Sequence, residues 1–591
     1  MSTSLTIQSQ LQEKLTAALI AAGVELPEGI SPALSISADL RFGDYQSNVA
    51  MMFAKKLKMN PRELAGKIVA ALQESGTDEL ATTDIAGPGF INFRVTQQAW
   101  SERVNLLVSD DRLGVPQASN PANIVVDFSA PNVAKPMHVG HIRSTIIGDS
   151  LSRISRFLGH NVITDNHIGD WGTQFGMVIY GWKNLIDQAA LEAAPLQELL
   201  RIYRAVNLLY KSDPAIAEIC KNELVKLQSG DEENKAIWQQ CVDVSKLGLN
   251  AIYDRLDISF DHWLGESYYN DKLAPLTEAL KASGEAKLSD GALCVFSGDE
   301  LEVKKDPFKK NEDGEWIDLP MIVRKEDGGF NYATTDIATI DFRLQEWNAD
   351  KIWYVVDARQ SLHFRQLFDI SKRRGCQAEL EHVTFGTILG KDGKPLKTRD
   401  GDLPQLEDVL NDAISASRAI IEEKSADLPA EEKDALAISI GLGSVKFTEL
   451  SHNRNSDYVF DLDKMVALQG DTAPYLQYSN VRCQSIFRKL DETPDFSGLQ
   501  AEISEEGEIS LTRMLARYGE ILPTVLDDLR PNILANYLLE LARSFHSFFE
   551  ACPVLQSEGN TQLTRLALCK STSRILAHGL SLLGIDTPNR M

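Results

Sequence analysis

The sequence predicts an α/β protein. A Rossmann-like, nucleotide-binding catalytic domain is expected, with an N-terminal α+β domain before it and a C-terminal all-α bundle after it. Three observations carry this. Residues 124–128, Ile-Val-Val-Asp-Phe, form a short apolar run of the kind found in a buried parallel strand. Ile142, Ile146, Ile147, Leu151, Ile154 and Leu158 then recur at helical spacing, and Gly159 stands where a C-terminal cap belongs. A second apolar run, residues 162–164, follows at once. Strand, loop, helix and strand within about forty residues make half of a nucleotide-binding sheet.

The loop between the first strand and the helix passes Pro131 and Pro136 and ends in His138-Val139-Gly140-His141. It lies at the carboxyl end of a strand and the N-terminus of a helix, where unpaired N–H groups and the helix dipole favour phosphate. A triphosphate cleaved between its α and β phosphates gathers negative charge on its oxygens. Two imidazoles one turn apart can donate to those oxygens, and Gly140 lets a base and ribose lie against the backbone. Zinc ligation and idle surface histidines are the competing readings. The chain has no Cys-x-x-Cys and no second His-x-x-His, so neither a metal site nor a structural zinc is expected.

The remaining elements follow in order. A first domain, 1–108, ends in Gly87-Pro88-Gly89, a turn, and an alternating strand from Phe90 to Val95. Residues 109–123 are polar and Pro-containing and read as a linker into the catalytic domain, 109–405. Residues 185–257 are helical, with Pro195 and Pro214 as punctuation, and read as an insertion. Residues 321–324 and 330–333 flank Asp327-Gly328-Gly329 as a hairpin signal. Thr334-Thr335-Asp336 reads as the cap of a helix through Ile337, Ile340 and Leu344. Residues 351–356 read as a buried strand, 362–374 as a helix closed by Gly375, and 383–389 as the last strand. From 406 to 591 the pattern is helical, broken by an acidic loop at 491–509.

Composition narrows the class. The seven cysteines are odd in number and scattered, which suits a reducing compartment. The first residues read as an amphipathic helix without a basic-then-apolar signal, and no apolar run approaches bilayer length. A cytoplasmic protein, without a membrane partner, is expected. A formal charge of −24 argues against indiscriminate nucleic-acid binding, but not against one RNA held by local basic patches.

Sheet enzymes of this kind bind at the carboxyl ends of strands. Asp127, Ser129, Asn132, Lys135, His138 and His141 follow the first strand; Tyr332 and Asp336 follow the hairpin; Asp357, Gln360 and His363 follow the next strand. After the last comes a glycine-rich loop, 390–401, with Lys391, Lys394, Lys397 and Arg399. Such a loop suits closure over a triphosphate and neutralisation of departing pyrophosphate, while taken alone it also reads as a solvated surface loop. Asp127, Tyr332, Asp336 and Gln360 suit a different ligand. A guanidinium is planar and always charged, and it calls for carboxylates, amides and an aromatic wall.

At these residues the chain resembles a known family. Residues 127–145, Asp-Phe-Ser-Ala-Pro-Asn-Val-Ala-Lys-Pro-Met-His-Val-Gly-His-Ile-Arg-Ser-Thr, are similar to the signature of bacterial-type arginyl-tRNA synthetases, which are class I aminoacyl-tRNA synthetases. The likeness continues in residues 166–176, in Tyr332-Ala333-Thr334-Thr335-Asp336 and in residues 470–475.

The resemblance implies ligation of arginine to tRNA(Arg) through an arginyl-adenylate made from ATP, with Mg2+ accompanying the ATP. It implies that His138, Gly140 and His141 bind ATP, and that Asp127, Ser129, Asn132, Tyr332, Asp336 and Gln360 hold arginine. Class I enzymes usually carry Lys-Met-Ser-Lys-Ser; here Leu396-Lys397-Thr398-Arg399 stands in its place. Lys394 and Lys397 are therefore the expected loop cations, and Lys135, just before the histidines, supplies part of the missing charge. The first domain resembles the module that contacts the tRNA elbow, with Tyr45, Gln46 and Asn48 as candidates for an unpaired base and a capped turn as the bland alternative. The helical C-terminus resembles the anticodon-binding bundle, with Tyr478 and Arg482 as candidates. A monomer is expected. An RNA-independent nucleotidyltransferase and an inactive RNA-binding paralogue are the rivals.

Overall fold

Ile124, Val125 and Val126 lie in the middle of a four-stranded parallel sheet, each at most 1% exposed. They belong to β1 (Asn123–Asp127). The helix α1 (Ile142–Phe157) leads to β2 (Asn161–Asp165), which pairs with β1 in parallel register, Asp127 opposite Asp165. The chain later returns to the other side of β1. There α2 (Tyr332–Glu346), β3 (Lys351–Tyr354), α3 (Ser361–Arg373) and β4 (Glu379–His382) complete the sheet in the order β4-β3-β1-β2. Tyr354 stands opposite Asp127. The strand order reverses between β1 and β3, so a crevice opens beyond their carboxyl ends. The computed structural model describes residues 6–26, 31–298, 301–397 and 403–591.

The apolar runs 124–126 of β1 and 352–354 of β3 are buried on both faces, as a parallel sheet requires. Val125, Ile352 and Tyr354 pack with Ile337 and Ile340 of α2 and Leu367 and Ile370 of α3. Gly148 lets α1 lie against Phe128, where a Cβ would come 2.2 Å from the ring. A second core joins Val133, Ala134 and Ile168 to helices of the insertion through Phe175, Leu199, Ile202 and Leu227. Its helices run Gln174–Leu185, Pro195–Ser212, Pro214–Gln228 and Glu232–Arg255.

Two short strands, β5 (Ile388–Leu389) and β6 (Tyr458–Val459), pair in parallel, with α4 (Leu406–Lys424) and α5 (Ala430–Ser451) between them. The unit built on the sheet runs from Ser119 to Val466, past the expected boundary at 405.

Residues 1–118 and 467–591 together form the other unit. Its first segment holds a four-stranded antiparallel sheet made by Ser35–Ile36, Tyr45–Ser47, Phe90–Val95 and Ala81–Ala86. The second holds five helices, from Ala473–Phe487 to Gly559–Leu582. Asp44 pairs with Arg513 at 2.7 Å, and Arg574 donates to the carbonyls of Leu107, Val108 and Asp110.

Three sequence expectations are corrected. Residues 330–333 make only a single bridge, Arg324 to Phe330, because Asn331 already caps α2 and Tyr332 is its first residue. Of residues 383–389 only Ile388 and Leu389 are strand, and they pair with β6; the fourth strand of the parallel sheet is Glu379–His382. The acidic loop ends earlier, since a helix begins at Glu506.

Candidate active site

The loop after β1 carries unusual backbone. Ser129, Ala130 and Ala134 have φ of 72°, 44° and 62°, left-handed values that cost L-residues on the order of 1–2 kcal/mol each. Neighbouring groups hold them there. Ser129 N donates to Ser144 Oγ at 2.9 Å, Ala130 N to Asn166 Oδ1 at 3.1 Å, and Ala134 N to Ser245 Oγ at 3.0 Å. Ser129 Oγ is enclosed, 2.7 Å from the Tyr253 hydroxyl and 2.9 Å from Thr145 Oγ1. Asn132 is exposed in the crevice and bridges Gly169, where a Cβ would lie 2.4 Å from Asn132 Oδ1.

His138 and His141 follow, their rings stacked with centroids 4.0 Å apart. Gly140 N donates to His138 Nδ1 and His138 N to His141 Nδ1, both at 3.1 Å. Since each Nδ1 is an acceptor, each neutral ring carries its proton on Nε2. Burial lowers the basicity of His138, and that of His141 falls to about 3 through burial and the neighbouring His138. Two neutral imidazoles therefore present Nε2–H donors. Gly140 fits closely beneath them: a Cβ would meet His138 Cε1 and Nδ1 at 2.9 Å.

The far foot of the lysine loop is bonded to this motif, and the near foot is held by a separate strand pair. On the far side, Val139 N donates to Pro404 O and Leu406 N to Met137 O, both at 2.9 Å. On the near side β5 leads into a turn in which Gly390 N donates to Lys394 O at 2.7 Å. Lys394 and Lys397 are exposed, and Lys391 lies 3.3 Å from Asp461. Thr398, Arg399, Asp400 and Gly401 lie outside the described residues. Lys135 Nζ sits 4.8 Å from the centroid of the Tyr203 ring.

Tyr332 and Asp336 stand one turn apart on α2, on one face. Asp336 Oδ2 lies 2.6 Å from His363 Nε2, and the Tyr332 ring lies 4.9 Å from that of His363. Gln360, at the start of α3, is exposed. Glu266 joins this group, a residue with no motif to announce it. Burial raises its carboxyl, His167 draws it down, and Asp336 and Asp170 push it further up.

Asp127 has a different surrounding from the one expected of an arginine ligand. Its Oδ2 accepts from Arg343 Nη2 at 2.7 Å, and the same nitrogen donates to Asp165 at 2.8 Å. All three side chains are buried, with the guanidinium over the Tyr354 ring. Asp127 is thus neutralised from inside the fold.

The histidine pair thus follows the carboxyl end of β1, and the Tyr332–Asp336–His363 group lies at the N-termini of the helices flanking β3. Three family models match the chain: "tRNA synthetases class I (R), catalytic domain" over residues 103–462, "DALR anticodon binding domain" over 476–591, and "Arginyl tRNA synthetase N terminal domain" over 9–95. The chain belongs to the arginyl-tRNA synthetase family. It is 43% identical to the arginine–tRNA ligases of Laribacter hongkongensis and of a Picosynechococcus strain, over 99% of its length and all of theirs. The crystal structure of the Plasmodium falciparum arginyl-tRNA synthetase covers 100% of both chains at 27% identity with a TM-score of 0.83. That of the Thermus thermophilus arginyl-tRNA synthetase covers 99% of this chain and all of its own at 23% identity, with a TM-score of 0.80, a likeness of fold.

In an arginyl-tRNA synthetase the outer segments are where RNA contacts are sought, and the structure sorts the candidates. Tyr45 is 2% exposed, and its hydroxyl donates to Glu520 at 2.8 Å, so it offers no face to a base. Gln46 is half-buried and donates to Asn92, whereas Asn48 is exposed. Tyr478 is 45% exposed. Arg482 lies over the Phe549 ring at 4.8 Å with Nη1 3.2 Å from His546 Nδ1.

Proposed function

We propose that this arginine–tRNA ligase forms arginyl-adenylate between the histidine pair and the Glu266–Asp336 group, then passes arginine to its tRNA. The observation that supports the reading is that the histidine pair, bonded to the far foot of the lysine loop, follows β1, while Asp336, near Glu266, opens the helix that leads into β3, the two strands between which the order reverses.

Arginine enters with its guanidinium toward Glu266 and Asp336, Tyr332 forming an aromatic wall. Asn132 and Gln360 orient its backbone groups. Asp127 and Ser129 act through the loop they support. One carboxylate oxygen of arginine attacks the α-phosphorus of ATP; the P–O bond to the β-phosphate breaks, and pyrophosphate leaves with the electron pair. The Nε2–H groups of His138 and His141 meet the charge gathering on the phosphate oxygens, with Lys135, Lys394 and Lys397 on the leaving pyrophosphate. Magnesium arrives as part of the substrate, MgATP. A hydroxyl of the tRNA's terminal ribose then attacks the arginyl carbonyl, and AMP departs.

Preference for arginine follows from the same pocket. A ligand without a planar, five-donor cation leaves Glu266 and Asp336 without the guanidinium donors that arginine would supply. Asn48 and Gln46 would meet the tRNA elbow, and Tyr478 and Arg482 the anticodon. The seven free cysteines agree with action in the cytoplasm, here as a monomer. No described helix is long and apolar enough to cross a membrane.

The test is ATP–pyrophosphate exchange with and without tRNA(Arg). Exchange that depends on arginine, and is not supported by lysine, is expected. Exchange driven equally by lysine, or none under either condition, would overturn the reading.

A further inference from the structure

Arg143 lies two residues after His141 on α1. Its side chain and that of Glu449 on α5 are each 1% exposed, with Arg143 Nε 3.1 Å from Glu449 Oε2. The Tyr458 hydroxyl donates to the other oxygen, Glu449 Oε1. The guanidinium stacks over the Tyr458 ring at 5.4 Å and donates to Ser456 O at 3.0 Å. Tyr458 belongs to β6, the strand that holds β5 and with it the near foot of the lysine loop.

Burying two charges costs more in lost hydration than the pair usually returns, so such a pair is weak evidence of a stabilising role. Its attested use is to fix one element's register against another. The β5–β6 ladder spans only two residues on each strand, too few to define that register alone. Glu449 bridges what the ladder cannot hold. Its carboxyl, raised to about 7 by burial, is held by Arg143 and Tyr458, one from the histidine helix and one from the strand beside the loop.

We infer that Arg143, Glu449 and Tyr458 are positioning residues that lock the near foot of the lysine loop to the histidine helix, so that loop cations and imidazoles act on the same phosphates. The inference rests on reading the lysine loop as phosphate-facing. It makes adenylate formation, which expels pyrophosphate, sensitive to the network. Transfer from preformed arginyl-adenylate, which involves no pyrophosphate, is not.

The experiment compares Tyr458→Phe and Glu449→Gln with Lys394→Ala/Lys397→Ala in the full-length protein. ATP–pyrophosphate exchange is measured beside arginine transfer to tRNA from added arginyl-adenylate. Both network variants are expected to lower kcat for exchange about tenfold, with the KM for arginine and the transfer rate unchanged. The lysine variant should show the same split. Equal losses in exchange and transfer, or unaltered exchange, would overturn the network's role. A lysine variant with normal exchange would overturn the loop reading beneath it. If Glu449→Gln does not fold, Tyr458→Phe decides alone, since it removes one hydroxyl and leaves the ion pair.

Discussion

His138 and His141 stack 4.0 Å apart, and each turns its Nδ1 onto a backbone N–H of the same turn. The backbone thereby chooses the tautomer, leaving Nε2–H as the donor on both rings. Nitrogen-15 NMR at pH 7 should report two neutral Nε2–H imidazoles; an Nδ1–H signal from either would contradict this. The His141 pKa of about 3 lies below the unfolded value of about 6.5. Between those values the unfolded chain takes up a proton that the folded site refuses. Stability from this residue is flat above pH 6.5 and is lost as pH falls toward 3. Urea titrations of wild type and His141→Gln across that window should differ in slope with that sign.

Gly140→Ala should separate chemistry from folding. The added methyl meets the His138 ring at 2.9 Å and has to displace it. A misplaced donor costs about 10²–10³ in kcat. The melting temperature should stay close to wild type, because Gly140 is exposed. Exchange kinetics and calorimetry on one preparation check both halves.

Arg343→Met should be severe for stability. It leaves Asp127 and Asp165 buried without their cation, a loss of about 3–5 kcal/mol. Pairing it with Asp127→Asn should recover part of that loss by removing one of the stranded charges. A double variant no more stable than Arg343→Met would count against Asp127 as Arg343's structural partner.

Glu266→Gln should raise the KM for arginine at least about tenfold, with little change in the KM for ATP. Because burial holds this carboxyl above its ordinary value, acidification protonates it and weakens arginine binding in the wild type. The variant should lose that part of the pH dependence. Equilibrium dialysis with labelled arginine at several pH values reads it directly.

Tyr45→Phe should cost stability, about 1–3 kcal/mol, by removing the shorter of the two hydrogen bonds to buried Glu520 Oε1 and leaving only that from Gln8 N. Its KM for tRNA should barely move. Asn48→Ala should behave in the opposite way, with unchanged melting and weaker tRNA binding. Identical tRNA effects from the two would restore a base-contacting role to Tyr45.

Much of the sheet was legible because its signals are local. The run at 124–126, the stripe of α1 and Gly159 each announce themselves, and Gly159 has φ 96°. The start of α2 was not: Phe330 and Tyr332 alternate with polar residues like a strand, and only the Asn331 cap reveals a helix. Arg343 was hidden because one arginine on an amphipathic helix normally faces water, and its partners come from two strands distant in sequence. Glu266 lies in a single-turn 3-10 helix after the insertion, with no spacing to betray it. The left-handed backbone at Ser129, Ala130 and Ala134 had no glycine to mark it. The histidine pair could be found from residues alone, but its proton positions depend on loop geometry no pattern encodes.

The junction of Asp44 with Arg513 and Tyr45 with Glu520 bears on how the molecule is made. A ribosome delivers the chain from its N-terminus, and domains commonly fold as they emerge. Here Asp44 and Tyr45 must wait through more than four hundred residues of synthesis for Arg513 and Glu520 to emerge. During that interval Tyr45, Asp44 and the surface around them stand uncovered beside a growing sheet unit. Truncated nascent chains should keep this early segment open to protease until Arg513 and Glu520 have left the exit tunnel.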